Sequence, residues 1–468
     1  MSAWGGVADR VFPQSIVLPD PATWIEQRLG GHIWSKSREV CDSVRDHQYT
    51  AVQAAHDVSK SWTAARLVCW WLEGHPPGTA FVISTAPTFS QVRAILWREI
   101  GRAHRDGKLR GRVNQTEWWL DDELVGMGRK PADHDQQGFQ GIHAENILVV
   151  IDEAGGVPAN LWVAIDSITT NENAKVLAIG NPDIPGTPFQ KACTAGSEYN
   201  VIKISAFDTP AYTGEVVPDR VMRALVSKKW VESRKKKWGV DSPVYQSKVL
   251  AEFPEQRDDA LFPVTWVDRA ARRDIEKPAV RPTLGVDVAR YGSARSIVIS
   301  RWGAVARTVG EFSHQSTMKT TGHVVKLMRE LDAVKAQVDS AGVGGGVVDR
   351  LEELDVNVQG INVGEGSSEP DAYVNLRAEL FWSLRKRFEN DDIDIELLDD
   401  DLISELTSMR WNVDSKGRIL IESKDQMAKR GLPSPDKADA LMLAFAETGW
   451  EPPPLAIPAA TQSSNWRD

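Results

Sequence analysis

At 468 residues, with 42% apolar and 26% charged side chains, the chain is too long for one ordinary domain. Its globular composition excludes a fibrous, low-complexity or wholly disordered protein. The formal net charge of −10 argues against a surface coated by nucleic acid, although local fields matter more than the sum. No apolar run reaches membrane-spanning length, so no membrane partner is expected. The first residues lack the basic and apolar regions of a signal peptide. Cys41, Cys69 and Cys193 are too scattered for a disulfide framework or a thiolate metal site and fit a reducing cytoplasm.

In chain order, residues 49–55 read as a strand. Residues 60–73 read as a helix with Ala64, Leu67, Val68, Trp71 and Leu72 on one face. Short apolar strands follow at 80–84, 147–151, 176–180 and 201–205, and their alternation with helices predicts a mostly parallel sheet covered on both faces. Two basic clusters interrupt this block. One spans residues 98–112, with Arg102, Arg105, Lys108, Arg110 and Arg112; the other is Lys228-Lys229-Trp230 with Arg234-Lys235-Lys236-Lys237-Trp238. Each reads either as a solvated helix face or as a phosphate-backbone contact. Turn-rich residues 254–263 and a charged, Pro-flanked stretch suggest a linker over 259–282. Strands at 283–288, 296–302 and 306–312 then predict an antiparallel meander, followed by a helix at 319–331, a strand at 336–339 and a helix after Gly346. This is a second, mixed-sheet α/β domain over 283–450, after a first domain over 1–258. Residues 451–468 have the composition of a disordered tail.

The segment Ile147-Leu148-Val149-Val150-Ile151-Asp152-Glu153-Ala154 is a buried strand that delivers two adjacent acids to its C-terminal end. It reads either as a core strand ending in a solvated turn or as the acidic element of a nucleotide hydrolase. In such an enzyme the first acid holds Mg²⁺ and the second polarises the attacking water. The second reading requires a phosphate-binding loop upstream, between a strand and a helix. Ala54-Ala55-His56-Asp57-Val58-Ser59-Lys60-Ser61 lies in that context. Lys60 would reach the phosphates of ATP, the Ser61 hydroxyl would complete the Mg²⁺ shell, and backbone N–H groups from His56 to Ser61 would cradle the phosphates. The usual glycines are replaced by Ala54 and Ser59, although His56 and Asp57 tolerate positive φ. Asn181 in Gly180-Asn181-Pro182 ends another strand where a γ-phosphate would lie, or simply forms an Asn-Pro turn.

In the second block, Asp287 lies within an apolar strand, Asp339 ends another, and Asp436 and Asp439 are one turn apart at the start of a helix. Singly these acids read as a hairpin cap, a turn residue and a helix cap. Together they are what two-metal phosphodiester hydrolysis requires, with two Mg²⁺ or Mn²⁺ ions about 3.5–4 Å apart. Asp399-Asp400-Asp401 is a charge run expected to be solvated.

The chain resembles the large terminase subunit of tailed bacteriophages, the motor-nuclease that packages the genome. The stretches carrying the resemblance are Thr85-Ala86-Pro87-Thr88 with Gln91-Val92, Ile151-Asp152-Glu153-Ala154, Gly180-Asn181-Pro182, Ser242-Pro243-Val244-Tyr245 leading to Glu252-Phe253-Pro254, Gly285-Val286-Asp287-Val288-Ala289-Arg290, Asp339 with 342–346, and Ser434-Pro435-Asp436 with Asp439-Ala440-Leu441. The resemblance implies an N-terminal P-loop ATPase and a C-terminal ribonuclease-H-like nuclease. It makes Lys60, Ser61 and Asp152 the nucleotide and Mg²⁺ ligands, Glu153 the catalytic glutamate and Asn181 the coupling residue. Asp287, Asp339 and Asp436 become the nuclease metal ligands, with Asp439 as an alternative. It further implies double-stranded DNA, a small terminase subunit and a procapsid portal as partners. A homo-oligomeric ring is expected on docking, pentameric by resemblance, from a subunit that could be monomeric in solution. The site of action would be the host cytoplasm during assembly, not the mature virion. Three positions depart from the family: Ser59 for a glycine, Ser37 for an adenine-reading glutamine, and Ala294 for an auxiliary acid. A cellular helicase-nuclease or transposition-type ATPase, and a non-hydrolysing DNA-binding remnant, are the competing readings.

Overall fold

A computed structural model of the chain describes residues 18–130, 144–255, 257–289 and 295–447. The fold is α/β and divides into two units. One is Met1–Asp258 with Pro263–Thr265 and Ala428–Pro433; the other is Asp259–Phe262 with Trp266–Met427 and Ser434–Asp468. Among the described residues no helix is long and apolar enough to cross a membrane. Ala294 and the tail expected at 451–468 lie outside the described residues.

In the first unit eight strands form one sheet: β1 (Tyr49–Ala54), β2 (Ala80–Thr85), β3 (Arg112–Asn114), β4 (Glu117–Leu120), β5 (Glu123–Gly128), β6 (Asn146–Asp152), β7 (Lys175–Gly180) and β8 (Asn200–Ile204). Their order is β3-β4-β5-β2-β6-β7-β1-β8. From β5 to β8 every neighbouring pair is parallel, as the apolar runs predict. β6 is buried at every position, as expected of a central parallel strand with both faces covered. At one end of the sheet the edge strand β3 and its neighbour β4 pair antiparallel, as do β4 and β5. β3 and β4 are not apparent in the sequence because they are three and four residues long and bury little beyond Trp118.

Helix Lys60–Gly74 corrects the expectation of one apolar face. Every residue from Thr63 to Leu72 is buried, so its surroundings close on all sides. Arg66 survives burial by pairing with Glu99 at 3.2 Å and lying over the Trp62 ring. Each fully buried large apolar side chain here contributes roughly 1.5–3 kcal/mol.

In the second unit β9 (Thr283–Asp287), β10 (Arg295–Trp302), β11 (Val305–Ser313), β12 (Lys335–Asp339) and β13 (Val358–Ile361) form a sheet of order β11-β10-β9-β12-β13. The first three strands are an antiparallel meander, and β12 and β13 continue in parallel. This strand order is the ribonuclease-H-like arrangement. The stretch expected as a linker carries helix Val264–Arg272, whose Val267, Ala270 and Ala271 are buried. Its charged residues are those of an amphipathic helix, with Arg269 paired to Asp391.

Gly285 decides how the second unit closes over its sheet. A side-chain carbon there would collide with the carbonyl of Ala440 and the amide of Ala444. Helix Asp436–Ala444 therefore rests directly on the backbone of β9 and is buried along its whole length.

Candidate nucleotide and metal sites

The C-terminal ends of β1, β7 and β6 line up in that order across the sheet, and the crevice beyond strand ends is where α/β sheets bind ligands. The loop after β1 turns through Asp57 (φ 50°) and Ser59 (φ 68°). A positive φ, which glycine would adopt most readily, is therefore required here and is met by serine at a cost of about 1–2 kcal/mol. Ser59 precedes the first turn of helix Lys60–Gly74 and makes no side-chain cap.

The Lys60 ammonium donates to the Ala55 carbonyl at 2.8 Å and to Asn181 Oδ1 at 3.2 Å, while Asn181 Nδ2 donates to the Ala54 carbonyl at 2.7 Å. Asn181 is thus held between strand and loop, a finer placement than an Asn-Pro turn requires. The Ser61 hydroxyl faces Asp152 at 3.4 and 3.5 Å, a loose contact by hydrogen-bond standards. Asp152 is 1% exposed. Burial raises its carboxyl to about 7, Glu153 adds to the rise, and Lys60 opposes it. Glu153 adopts φ 48°, ψ 47°, an uncommon conformation for a non-glycine residue. Gly180 leaves room for that turn, since a side chain there would come within 2.8 Å of the Ala154 amide.

A cleft of about 570 Å³ opens here, lined among others by Gly31, His32, His56 to Ser61, Glu153 and Arg220. That volume suits a nucleotide-sized ligand. Ser37, expected at an adenine-reading position, is not part of the lining. It is 2% exposed and hydrogen-bonded to Thr63. The basic cluster at 98–112 is mostly exposed, at Arg102, Arg105, Lys108 and Arg112, and only Arg110 is engaged internally. Arg102 pairs with Glu99, and Arg110 with Glu73 and the carbonyls of Leu72 and His75.

In the second unit, β9 presents Asp287, β12 presents Asp339, and the helix seated on β9 presents Asp436 and Asp439. Asp287, Asp436 and Asp439 are buried and Asp339 is half-buried. Burial drives Asp287 well above the usual carboxylate range; Lys424 pulls it back, and Asp439, Asp436 and Asp339 each add to the rise. The four sequence-predicted acids therefore share one electrostatic site. Asp339 is raised by burial and restrained by the Ala341 amide, which donates to its Oδ1 at 2.9 Å. Among the described residues no three acidic, His or Cys side chains stand ready to enclose a metal. The Lys424 ammonium lies among the acids instead, 2.8 Å from Asp439 Oδ2, and Arg377 approaches Asp439 Oδ1 at 3.4 Å. Burial would lower the Lys424 ammonium, but Asp439 and Asp287 outweigh it and hold it above its ordinary range. Four clustered carboxylates balanced by an ammonium are a suitable donor set for hard divalent cations.

Sequence reasoning passed over the residues that hold this site. The buried Glu405 accepts the Lys437 and Ala438 amides at 2.7 and 3.0 Å at the start of helix Asp436–Ala444. Arg295 reaches Glu405 at 3.2 Å, also pairs with Glu311, and its amide donates to Asp436 Oδ2 at 2.9 Å. The Asp399-Asp400-Asp401 run corrects another expectation: it is not a solvated decoy. Asp399 caps Leu402 and holds Lys437 at 2.6 Å, and Asp401 faces Arg295 at 3.4 Å. A signal was available in Lys437, a cation directly after a candidate ligand and in need of a counter-charge when buried.

Fold and sites together define a chain that carries a P-loop-type α/β unit with a crevice at its strand ends and a ribonuclease-H-like unit with an acidic centre. The chain is similar to the large terminase subunits of tailed bacteriophages. It is 24% identical over 335 residues, 66% of its own length, to the probable large terminase subunit of Enterobacteria phage P7, and it spans 65% of that relative. No family model matches the chain. Among solved structures, the nuclease domain of the large terminase subunit of bacterial virus Sf6 is 20% identical, with 40% of this chain and 98% of that one covered and a TM-score of 0.36. The large terminase of a thermophilic bacteriophage is 12% identical, with 88% and 98% covered and a TM-score of 0.41. The fold stands on strand order and not on these distant overlays.

Proposed function

We propose that the chain is the large subunit of a viral DNA-packaging terminase. It would hydrolyse ATP in the first unit to move double-stranded DNA into a procapsid and cut concatemeric DNA in the second. The observation that carries this reading is the pairing, in one chain, of the Lys60–Asn181–Asp152 crevice with the Asp287–Asp339–Asp436–Asp439 cluster.

In the ATPase site, Lys60 is already oriented towards the crevice by Ala55 and Asn181. His56 to Ser61 would offer backbone N–H groups to the phosphates. Ser61 and Asp152 would hold the Mg²⁺ that accompanies ATP, and Glu153 would orient and deprotonate the attacking water. Asn181 touches both Lys60 and the end of β1, which suits a residue that reports the phosphate state to the sheet. In the nuclease site, Asp287, Asp339, Asp436 and Asp439 would hold two Mg²⁺ or Mn²⁺. Such ions stabilise the attacking and leaving oxygens of phosphodiester hydrolysis. Lys424 balances the acids without metal, and Glu405 and Arg295 fix the start of the helix that carries Asp436. The partners are double-stranded DNA, a small terminase subunit and a portal, met in the host cytoplasm as a ring during virion assembly.

Two substitutions test the reading. Glu153→Gln is expected to reduce DNA-stimulated ATP turnover by at least about 10²-fold while leaving nucleotide binding intact; undiminished turnover refutes the ATPase assignment. Asp287→Ala is expected to eliminate Mn²⁺-dependent plasmid cleavage without changing ATP turnover; surviving cleavage places the nuclease elsewhere.

A further inference from the structure

The helix Lys228–Trp238 has two faces of opposite character. Trp230, Val231, Arg234, Lys237 and Trp238 are buried or half-buried, whereas Lys228, Lys229, Lys235 and Lys236 are exposed, with Glu232 and Ser233 between them. At about 100° per residue the four lysines fall on one side of the helix. Lys228 and Lys235, and likewise Lys229 and Lys236, are a heptad and roughly 10.5 Å apart along the axis. Glu232 sits within reach of Lys228, Lys235 and Lys236 at i−4, i+3 and i+4, so the face stays positive. Beneath it, Arg234 lies over the rings of Trp230 and Trp238, 5.6 and 5.1 Å from their centroids, and Lys228 lies 5.2 Å from the Tyr212 centroid.

The same helix is joined to the phosphate loop. The Trp230 ring stacks on His56, with centroids 6.0 Å apart and planes 14° apart. The Val226 amide, two residues before the helix, donates to the Asp57 carbonyl at 2.9 Å. His56, Asp57 and Ser59 all line the nucleotide cleft, and Asp57 and Ser59 hold positive φ. Any shift of this loop on phosphate binding would be passed to the helix through the aromatic stack and the backbone bond.

We infer that the lysine face of helix Lys228–Trp238 grips the phosphate backbone of double-stranded DNA, and that the His56–Trp230 stack ties the strength of that grip to the nucleotide state. The inference rests on the packaging reading and adds to it the gripping surface and its coupling. Lysines are point charges that bind phosphate without reading bases, as a motor that moves any sequence requires. Single-stranded binding needs aromatic rings on the contact face for base stacking, and both tryptophans of this helix are turned inward. Insertion into a lipid surface needs large apolar side chains on that face, and it carries none.

The test uses the full chain, a 40-base-pair duplex, and a non-hydrolysable ATP analogue or ADP. Changing Lys228, Lys229, Lys235 and Lys236 together to Ala is expected to lower the slope of log affinity against log salt by about 3–4. Binding of a fluorescent ATP analogue should be unchanged. Trp230→Leu is expected to leave the slope intact. It should collapse the wild-type difference in DNA affinity between the ATP-analogue and ADP states, at least about fivefold, to within twofold, and Trp230→Phe should restore it. Normal nucleotide binding with an unchanged salt slope overturns the grip while leaving the packaging reading intact. A nucleotide-dependent difference that persists in Trp230→Leu overturns the coupling. Intact DNA binding with lost ATP turnover in the lysine variant assigns the lysines to a neighbouring subunit's nucleotide and overturns the proposal. Wild-type protein that binds no nucleotide refutes the packaging reading itself.

Discussion

Replacing Lys424 by alanine separates the two charge states of the acidic centre. The ammonium is 2.8 Å from Asp439, whose side chain is 7% exposed, while the Lys424 side chain as a whole is 46% exposed. The lysine is half-exposed while its carboxylate partner is enclosed. Removing one partner of a fully buried ion pair costs about 3–5 kcal/mol, and exposed pairs contribute at most about 1 kcal/mol. A half-exposed lysine falls between, at about 2 kcal/mol in metal-free protein. For a unit of this size that corresponds to a fall of about 4–8 °C in its melting transition. With saturating Mn²⁺ the difference in stability closes, because the wild type must displace Lys424 and the variant need not. Taken at about 1.4 kcal/mol per decade, the same interaction predicts at least tenfold tighter Mn²⁺ binding by Lys424→Ala. Scanning calorimetry across a MnCl₂ titration reads both effects. Equal melting temperatures without metal, together with equal Mn²⁺ affinities, would refute Lys424 as the resident counter-charge.

Three further outcomes follow from the geometry. Ser59→Gly is expected to raise stability by about 0.5–1 kcal/mol, since relief of the left-handed backbone exceeds glycine's added chain entropy; a lower denaturant midpoint would contradict this. Asp152 titrates near 7 in the folded chain, against 3.8 for an ordinary aspartate. The folded state therefore holds a proton that the unfolded state releases, and nucleotide-free stability falls as pH rises from about 4 to about 7. Binding of Mg²⁺-ATP at pH 6 should then expel a proton, seen as buffer-dependent calorimetric heats that vanish above pH 8; heats independent of buffer at pH 6 would rule it out. Glu405→Ala is expected to cost about 1–3 kcal/mol by orphaning the Lys437 and Ala438 amides and to weaken Mn²⁺ binding, measured by titration, whereas unchanged Mn²⁺ affinity would restrict Glu405 to stability alone.

The parallel core was legible because buried strands are apolar runs: residues 147–151 and 176–180 announce β6 and β7 without help from context. The meander of β9 to β11 was legible for the same reason. β3 and β4 were not, since three or four residues with a single buried tryptophan carry no period. The acids that converge were visible as strand-end and helix-start carboxylates. Their supports were not visible, because the worth of Glu405 and Asp399 depends on Arg295 and Lys437, which only the tertiary fold brings near. A run of three aspartates looks solvated until a buried lysine is found against it. Ser37 stood out in the sequence only as a departure from the family, and its burial between two helices against Thr63 needed the fold to be seen.

The seat of helix Asp436–Ala444 on Gly285 makes the acidic centre vulnerable at a residue with no chemistry of its own. One added methyl group at position 285 would lift the helix from β9 and draw Asp436 and Asp439 away from Asp287 while leaving every acid in the sequence. On the proposed reading, a chain inspected only for its carboxylates would then be counted as an intact nuclease after it had ceased to cut. The glycine is as much a determinant of the acidic centre as the carboxylates it brings together, and an alanine there would offer a way to disarm the proposed cutting with the acidic residues still in place.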